Sequence, residues 1–272
     1  MTQLSHRPIG IFDSGVGGLT VAAAVRKLLP REHLIYFGDT AHMPYGDKST
    51  AAIQAYSVKI CDMLLAQQCK VILIACNSAS AAAYDLVNEY VGTKAKVLNV
   101  IDPVVNHLRE YFANKRIGLI GTKQTVQSNI YRKKIESLNV GITLNSLATP
   151  LLAPMIEEGL SNKELMGQMI KEYLNNPDIQ NIEALILGCT HYPLIKSQIA
   201  EFYNDRVVII DSAIVVARAL QALLQLHDLQ NENGAEEGTM QFYVSDYTAG
   251  FAASTRLFFG DELPLEKYPL WE

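Results

Sequence analysis

Two of the four cysteines stand at positions where a thiol can do chemistry. Cys76 follows an apolar run at residues 71–75 and precedes Asn77 and Ser78, and Cys189 follows a similar run at residues 184–187. Each thiol lies at the end of a predicted strand, where it can be exposed and where a helix N-terminus can lower its pKa. With an ordinary pKa of about 8.5, a thiol can give or accept a proton near neutral pH. The pattern predicts two reactive thiols.

The other cysteines and His191 allow several interpretations. Cys61 and Cys69 lie among apolar residues, which is typical of core cysteines, and no C-x-x-C pair is present. A zinc site built from Cys76, Cys189 and His191 would lack a fourth ligand, so no metal is predicted. A cysteine hydrolase could pair Cys189 with His191, but Cys76 would then have no role.

A glycine-rich segment, DSGVGG at residues 13–18, follows a predicted strand and precedes a predicted helix. It does not match a dinucleotide-binding loop, because Thr20 stands where that motif needs a small residue, and it lacks the lysine of a phosphate-binding Walker loop. Two interpretations remain open. The segment is either a tight turn or a helix start whose N–H groups bind an anion, and a carboxylate suits such a site as well as a phosphate does.

Short apolar runs alternate with helical patterns along the chain, which indicates an α/β protein with mainly parallel sheets. Helices are predicted at about 19–29, 50–67 (capped by Ser49 or Thr50) and 78–90, and an acidic surface loop at 230–238 before the last strand. Strands are predicted at residues 9–12, 33–37, 71–75, 97–100, 117–120, 141–144, 184–187, 207–210 and 241–244.

A short internal repeat links the two cysteines. Residues 9–14 resemble residues 117–122, and residues 71–78 resemble residues 184–191, at nearly equal offsets of 108 and 113. The repeat predicts two similar α/β halves. Because ligands bind at the carboxyl ends of strands in open α/β sheets, two facing halves would place the two thiols on opposite sides of one cleft.

Composition limits the class of protein. The 272 residues include 23 Lys and Arg against 28 Asp and Glu, for a net charge of −5, and 49% are hydrophobic. The acidic balance without a basic cluster argues against nucleic-acid and membrane partners. No apolar run is long enough to span a bilayer, and the N-terminus lacks the apolar region of a signal peptide. We therefore expect a soluble, cytoplasmic protein.

Five segments taken together resemble the glutamate racemase family, within the aspartate/glutamate racemase superfamily. They are IFDSGVGGL at 11–19, YFGDT at 36–40, PYG at 44–46, ACNSA at 75–79 and GCTHYPL at 188–194. The resemblance implies an isomerase that interconverts L- and D-glutamate without a cofactor and supplies D-glutamate for peptidoglycan in cell-wall synthesis. It implies two α/β domains with the active site in the cleft between them, here assigned to residues 1–98 with 210–272 and to residues 99–209. It also suggests a homodimer, which no sequence feature decides.

The resemblance assigns roles to particular residues. Cys76 takes the proton from D-glutamate and Cys189 takes it from L-glutamate. Asp13 and His191 match residues that assist the thiols, and Glu157 matches a third assisting acid, with Glu158 as the adjacent alternative. The substrate-binding positions are Asp13, Ser14, Tyr45, Gly46, Asn77, Ser78, Thr190 and His191.

The chemistry of racemisation explains why two thiols would be needed. The reaction removes a proton from one face of Cα and returns one to the other face, so it requires an acid and a base on opposite sides. Ser78 and Thr149 replace a threonine and a cysteine that are common in the family. Two alternatives stay open: a racemase acting on aspartate or another acidic amino acid, and a non-catalytic amino-acid-binding protein, which has no need of paired thiols.

Overall fold

The structure is a computed structural model that describes residues 4–161, 163–232 and 237–272. Residues 233–236 of the predicted surface loop therefore lie outside the described residues. The strands, in chain order, are β1 Ile9–Asp13, β2 Leu34–Gly38, β3 Val71–Ile74, β4 Lys96–Asn99, β5 Arg116–Gly121, β6 Thr143–Ala148, β7 Ala184–Gly188, β8 Val208–Ile210, β9 Met240–Val244 and β10 Leu265–Lys267.

Helices follow most of the strands, as the sequence predicts. Ser49 caps the second helix, because its side chain accepts a hydrogen bond from the N–H of Ala52. The helices are α1 Leu19–Leu28, α2 Thr50–Ala66, α3 Asn77–Val91, α4 Ile101–Tyr111, α5 Lys123–Gln127, α6 Ile130–Ser137, α7 Leu152–Glu157, α8 Glu164–Leu174, α9 Lys196–Phe202, α10 Ser212–Leu226 and α11 Ala249–Phe259, with 3-10 turns at Tyr45–Asp47, Pro177–Ile179 and Tyr192–Ile195.

The strands form two parallel sheets, of six and four strands, that share one arrangement of four strands. The first sheet has the order β10-β9-β2-β1-β3-β4, and the second has the order β6-β5-β7-β8. In both sheets the first strand pairs with the second and the third, and the fourth strand follows the third. The prediction of two similar α/β halves is confirmed. The limits assigned to the two domains stay a prediction.

Two strands differ from the sequence prediction. The strand predicted at 141–144 begins at Thr143 and continues to Ala148. Gly141 has a positive φ of 69°, so it belongs to the turn before the strand. The polar residues Asn145 and Ser146 interrupt the apolar pattern, so the sequence did not predict the second half of the strand. They are tolerated because β6 lies at the edge of its sheet. The strand after the surface loop is also not the last, since β10 follows α11.

Both faces of the first sheet are buried, which explains the nearly continuous apolar runs of its strands. Ile9 and Ile11 of β1 pack in the core cluster that includes residues of α1 and α10, and Phe12 packs in a second cluster with residues of α2 and α3. Cys61 and Cys69 belong to the second cluster, in agreement with their predicted core role. Among the described residues, no helix is long and apolar enough to cross a membrane.

Candidate active site

A cavity lies where the carboxyl ends of strands from both sheets meet. It is lined by the residue after β1, the start of α3 after β3, and the turn after β7, together with loops from each half. All the predicted site residues except Asp13 line it, and Glu158 is absent from its wall. The lining residues are Ser14, Met43, Pro44, Tyr45, Gly46, Cys76, Asn77, Ser78, Thr122, Ala153, Pro154, Glu157, Gly188, Cys189, Thr190 and His191.

Cys76 caps the N-terminus of α3 and is only 5% exposed. Its Sγ accepts a hydrogen bond from the N–H of Ala79 at 3.4 Å and donates to Oγ of Ser14 at 3.7 Å. Burial raises the pKa of the Cys76 thiol to about 12, and repulsion from Asp13 adds to the rise. The N–H group of Ala79 at the helix start lowers this pKa, as the sequence suggests, but desolvation outweighs it and the net shift is upward.

Cys189 lies in a chain of contacts with a histidine and an acid. Its Sγ is 3.6 Å from Nδ1 of His191, and Nε2 of His191 is 2.7 Å from Oε1 of Glu157. Burial by itself lowers the pKa of His191, but attraction to Cys189 and hydrogen bonds to Cys189 and Glu157 more than offset it, so the pKa lies well above its usual value. The charge of a protonated His191 therefore lies beside the Cys189 sulfur.

The structure distinguishes Glu157 from its neighbour Glu158. Glu157 ends α7 and reaches His191, whereas Glu158 follows the helix and is exposed. The helix is held by Leu152 and Ile156, which are buried on its inner side. Since successive residues on a helix point about 100° apart, only one of the two acids can face the cavity.

Asp13 lies behind the cavity wall and is fully buried. Its Oδ2 accepts hydrogen bonds from the N–H groups of Gly15 at 3.1 Å and Gly18 at 3.0 Å, so its carboxylate shapes the glycine-rich turn. Burial raises the pKa of Asp13, while attraction to His191 opposes the rise. Asp13 therefore interacts with the charge of His191 without forming part of the cavity lining.

The glycine-rich turn contacts the Cys189 side of the site directly. Oγ1 of Thr20 donates to the carbonyl of Thr190 at 3.0 Å. A Cβ atom on Gly17 would lie 2.3 Å from Cε1 of His191 and 2.7 Å from Oγ1 of Thr190. Glycine at position 17 thus allows one half of the site to approach the other.

Tyr45 is held in the wall by a buried carboxylate that the sequence analysis did not single out as a site residue. Its hydroxyl donates to Oδ2 of Asp39 at 2.6 Å, and Asp39 also accepts hydrogen bonds from Ser245 at 2.7 Å and from the indole of Trp271 at 2.8 Å. Nδ1 of His42 lies 3.0 Å from the same carboxylate. Asp39 belongs to the YFGDT segment, so the motif itself was the available signal.

A second residue missed from the sequence is Thr122, which lines the cavity at the start of α5. Its Oγ1 is 2.9 Å from Oγ of Ser78, so two hydroxyls from different halves meet in the wall. A Cβ on Gly46 would lie 2.9 Å from Cβ of Thr122, which brings the loop of Tyr45 to the same place. The internal repeat held the signal, since Thr122 corresponds to Ser14.

The cavity offers hydrogen-bond donors without a lysine or arginine among the described residues that line it. Helix α3 starts at its wall, so the N–H groups of Asn77 and Ser78 lie at the positive end of a helix dipole. Hydroxyls come from Ser14, Ser78 and Thr190. Within the part of the chain that the structure describes, no group of three or more histidine, cysteine or acidic side chains is placed to hold a metal ion.

Comparison with known families places the site in context. Residues 19–220 match the family described as Asp/Glu/Hydantoin racemase. A glutamate racemase from Geobacter metallireducens is 38% identical over 94% of this chain and 94% of its own length. A glutamate racemase from Chlorobaculum parvum is 40% identical over 96% of this chain and 95% of its own length.

Solved structures show the same similarity in three dimensions. The glutamate racemase from Francisella tularensis, crystallised in complex with D-glutamate, has a TM-score of 0.91 and 38% identity to this chain. The alignment covers 98% of this chain and 99% of the crystallised one. The whole two-sheet architecture is therefore shared with that protein.

Proposed function

The chain belongs to the Asp/Glu/hydantoin racemase family, a family of isomerases, and from this membership we propose that it interconverts L-glutamate and D-glutamate without a cofactor. The observation that carries the proposal is the meeting of two thiols from equivalent positions of the two halves at one cavity. As the family resemblance implies, the D-glutamate formed would serve peptidoglycan synthesis.

In the proposed mechanism the two thiols act on opposite faces of Cα. Cys189, beside the cation of His191, takes the proton from L-glutamate as a thiolate. Cys76, whose high pKa keeps its proton in the buried site, gives that proton to the other face. In the reverse direction the roles exchange, so that Cys76 takes the proton from D-glutamate and Cys189 returns one.

The assisting groups set the charges around the thiols. Glu157 accepts a hydrogen bond from His191 and so favours the imidazolium form, which stabilises a thiolate at Cys189. Asp13 opposes a thiolate at Cys76, so it favours Cys76 as the proton donor. This asymmetry supplies the base and the acid for the L-to-D direction before substrate binds, and the D-to-L direction starts from the opposite charge state, with the proton on Cys189.

Stabilisation of the carbanion falls to neutral donors. The Cα proton is far less acidic than a thiol, so charge that develops on the substrate must be met by preorganised N–H and O–H groups. The N-terminus of α3 and the hydroxyls of Ser14, Ser78 and Thr190 are among the donors around the cavity. They would bind both carboxylates of glutamate by hydrogen bonds.

Hydrogen exchange at Cα tests the proposal. The protein is incubated with L-glutamate or D-glutamate in D₂O without added cofactor, and Cα–H is followed by NMR while enantiomers are resolved by chromatography. We expect deuterium at Cα and convergence on an equal mixture of enantiomers from either side. Parallel incubations with L- and D-aspartate test the alternative substrate, and absence of exchange with any acidic amino acid would refute a racemase function.

The two cysteines have a matched control in the same chain. Cys76→Ala and Cys189→Ala should each lower racemisation by about 10³-fold, since general acid–base groups contribute on this scale. Cys61→Ala removes a buried thiol that belongs to the core cluster, and it should keep wild-type activity. Survival of racemisation in either site variant would eliminate the two-thiol mechanism.

The homodimer and the cytoplasmic location also stay predictions, which sedimentation velocity and cell fractionation would check.

A further inference from the structure

Tyr131 of α6 reaches the site from behind its wall. The side chain is 1% exposed and is not among the residues that line the cavity. Its hydroxyl donates a hydrogen bond to Oδ1 of Asn77 at 2.9 Å. Helix α6 comes after β5 of the second sheet, whereas Asn77 opens α3 after β3 of the first, so this bond joins the two halves at the site.

The amide of Asn77 has one end satisfied and one end free. Oδ1 is occupied by Tyr131, while Nδ2 is buried and has no hydrogen-bond partner among the described residues. Asn77 lines the cavity and is only 2% exposed. A buried amide nitrogen without an acceptor is unfavourable, so the geometry calls for an acceptor supplied from the cavity.

The direction of the amide decides which ligand it can bind. Burial, with repulsion from Asp102 as a smaller cause, raises the pKa of Tyr131, so the phenol keeps its proton and can donate it to Oδ1. If the amide turned over, Oδ1 would face the cavity and repel an anion. The cavity has no lysine or arginine among its described lining residues, so the binding of a carboxylate there depends on neutral hydrogen-bond donors.

We infer that Tyr131 is a positioning residue that keeps the amide nitrogen of Asn77 turned into the cavity, where it binds a carboxylate of the amino-acid substrate. The inference rests on the proposed function and adds to it a residue that does not touch the substrate. It also gives the contact between α6 and α3 a role in binding, because the orientation of a donor on one half is set by the other half.

Tyr131→Phe tests the inference, with Tyr203→Phe as its control. Tyr203 is also buried, and its hydroxyl donates to the carbonyl of Ile179 at 3.3 Å, away from the cavity. We expect Tyr131→Phe to raise KM for both enantiomers about fivefold with kcat within twofold of wild type, since a lost binding contact that serves ground and transition states alike appears in KM. Tyr203→Phe should lower thermal stability and leave KM unchanged.

A double-mutant cycle separates positioning from a general loss of structure. Asn77→Ala should raise KM at least as much as Tyr131→Phe, and the double variant should be no worse than Asn77→Ala alone. Additive effects, or an unchanged KM in Tyr131→Phe, would overturn the inference. If Tyr131→Phe does not fold, an unchanged KM in Asn77→Ala overturns it by itself. A wild-type protein that exchanges no Cα–H of glutamate refutes the proposed function instead, so the two failures are distinct.

Discussion

Gly17 gives a direct test of how closely the two halves must approach. Its backbone is not in the left-handed region, so alanine can adopt the same φ and only the added methyl group matters. That Cβ would lie 2.3 Å from Cε1 and 2.6 Å from Nδ1 of His191. Ordinary contact between carbon atoms needs about 3.5 Å, so His191 or the glycine-rich turn must move by about 1 Å.

His191 has little freedom to absorb this displacement. Its Nε2 is held by Glu157 at 2.7 Å, its Nδ1 lies 3.6 Å from the sulfur of Cys189, and the ring of Phe258 packs edge-on at 5.2 Å. A 1 Å misplacement of a reacting group can cost about 10²-fold in rate. We therefore expect Gly17→Ala to lower kcat/KM about 10²-fold in both directions, with a loss of stability of about 1–3 kcal/mol from overpacking.

The assay measures kcat/KM from each enantiomer by polarimetry and the melting temperature by circular dichroism. Gly167→Ala is the matched control, because this glycine lies inside α8 and a Cβ there would meet no atom within 4 Å. It should keep wild-type activity and melt about 2 °C higher, since alanine favours helix by about 0.5–1 kcal/mol. A folded Gly17→Ala protein within twofold of wild-type kcat/KM would refute the reasoning.

Three further predictions concern charge. Glu157→Gln should lower the pKa of His191, lower kcat/KM about tenfold, and move the high-pH limb of the pH–rate profile to lower pH, because the imidazolium loses an anionic partner; an unshifted limb would contradict this. Asp13→Asn should abolish activity. The variant should nevertheless unfold at a higher urea concentration than wild type at pH 8, and the difference between the two urea midpoints should vanish towards low pH. Burial raises the folded pKa of Asp13 above its unfolded value, so ionisation begins to destabilise wild type above the unfolded pKa and does so fully above the folded pKa, by about 1.4 kcal/mol for each pKa unit between them; equal urea midpoints at pH 8 would count against it. Lys70→Met should cost about 3–5 kcal/mol in urea unfolding, because Lys70 and Glu32 form an ion pair at 2.5 Å with side chains 1% and 2% exposed, and adding Glu32→Gln should restore part of the loss.

Many of the residues that line the cavity could be predicted because they follow strands. In a parallel sheet all carboxyl ends meet at one edge, so Ser14, Cys76 and Cys189 converge wherever their strands pair. The internal repeat extends the argument from one sheet to two. Thr122 could have been found in the same way, because its segment was aligned with that of Ser14.

Other residues of the site depend on contacts that no local pattern encodes. The high pKa of Cys76 results from burial and from repulsion by Asp13, which outweigh the N–H group of the helix start. The hydrogen bond of Tyr131 to Asn77 joins residues 54 positions apart, and the one from Trp271 to Asp39 joins residues 232 positions apart. Sequence spacing gives no measure of such distances.

By itself the sequence determined the α/β class, the parallel strands, the paired thiols and the glycine-rich turn, because each follows from local periodicity or from residue chemistry. Only the tertiary structure decided that Glu157 and not Glu158 meets His191, and that Asp13 lies behind the wall. Both outcomes depend on how elements distant in sequence pack against one another. Packing fixes the rotation of α7 and the closeness of the glycine-rich turn to His191, and through them the charged groups that surround the thiols.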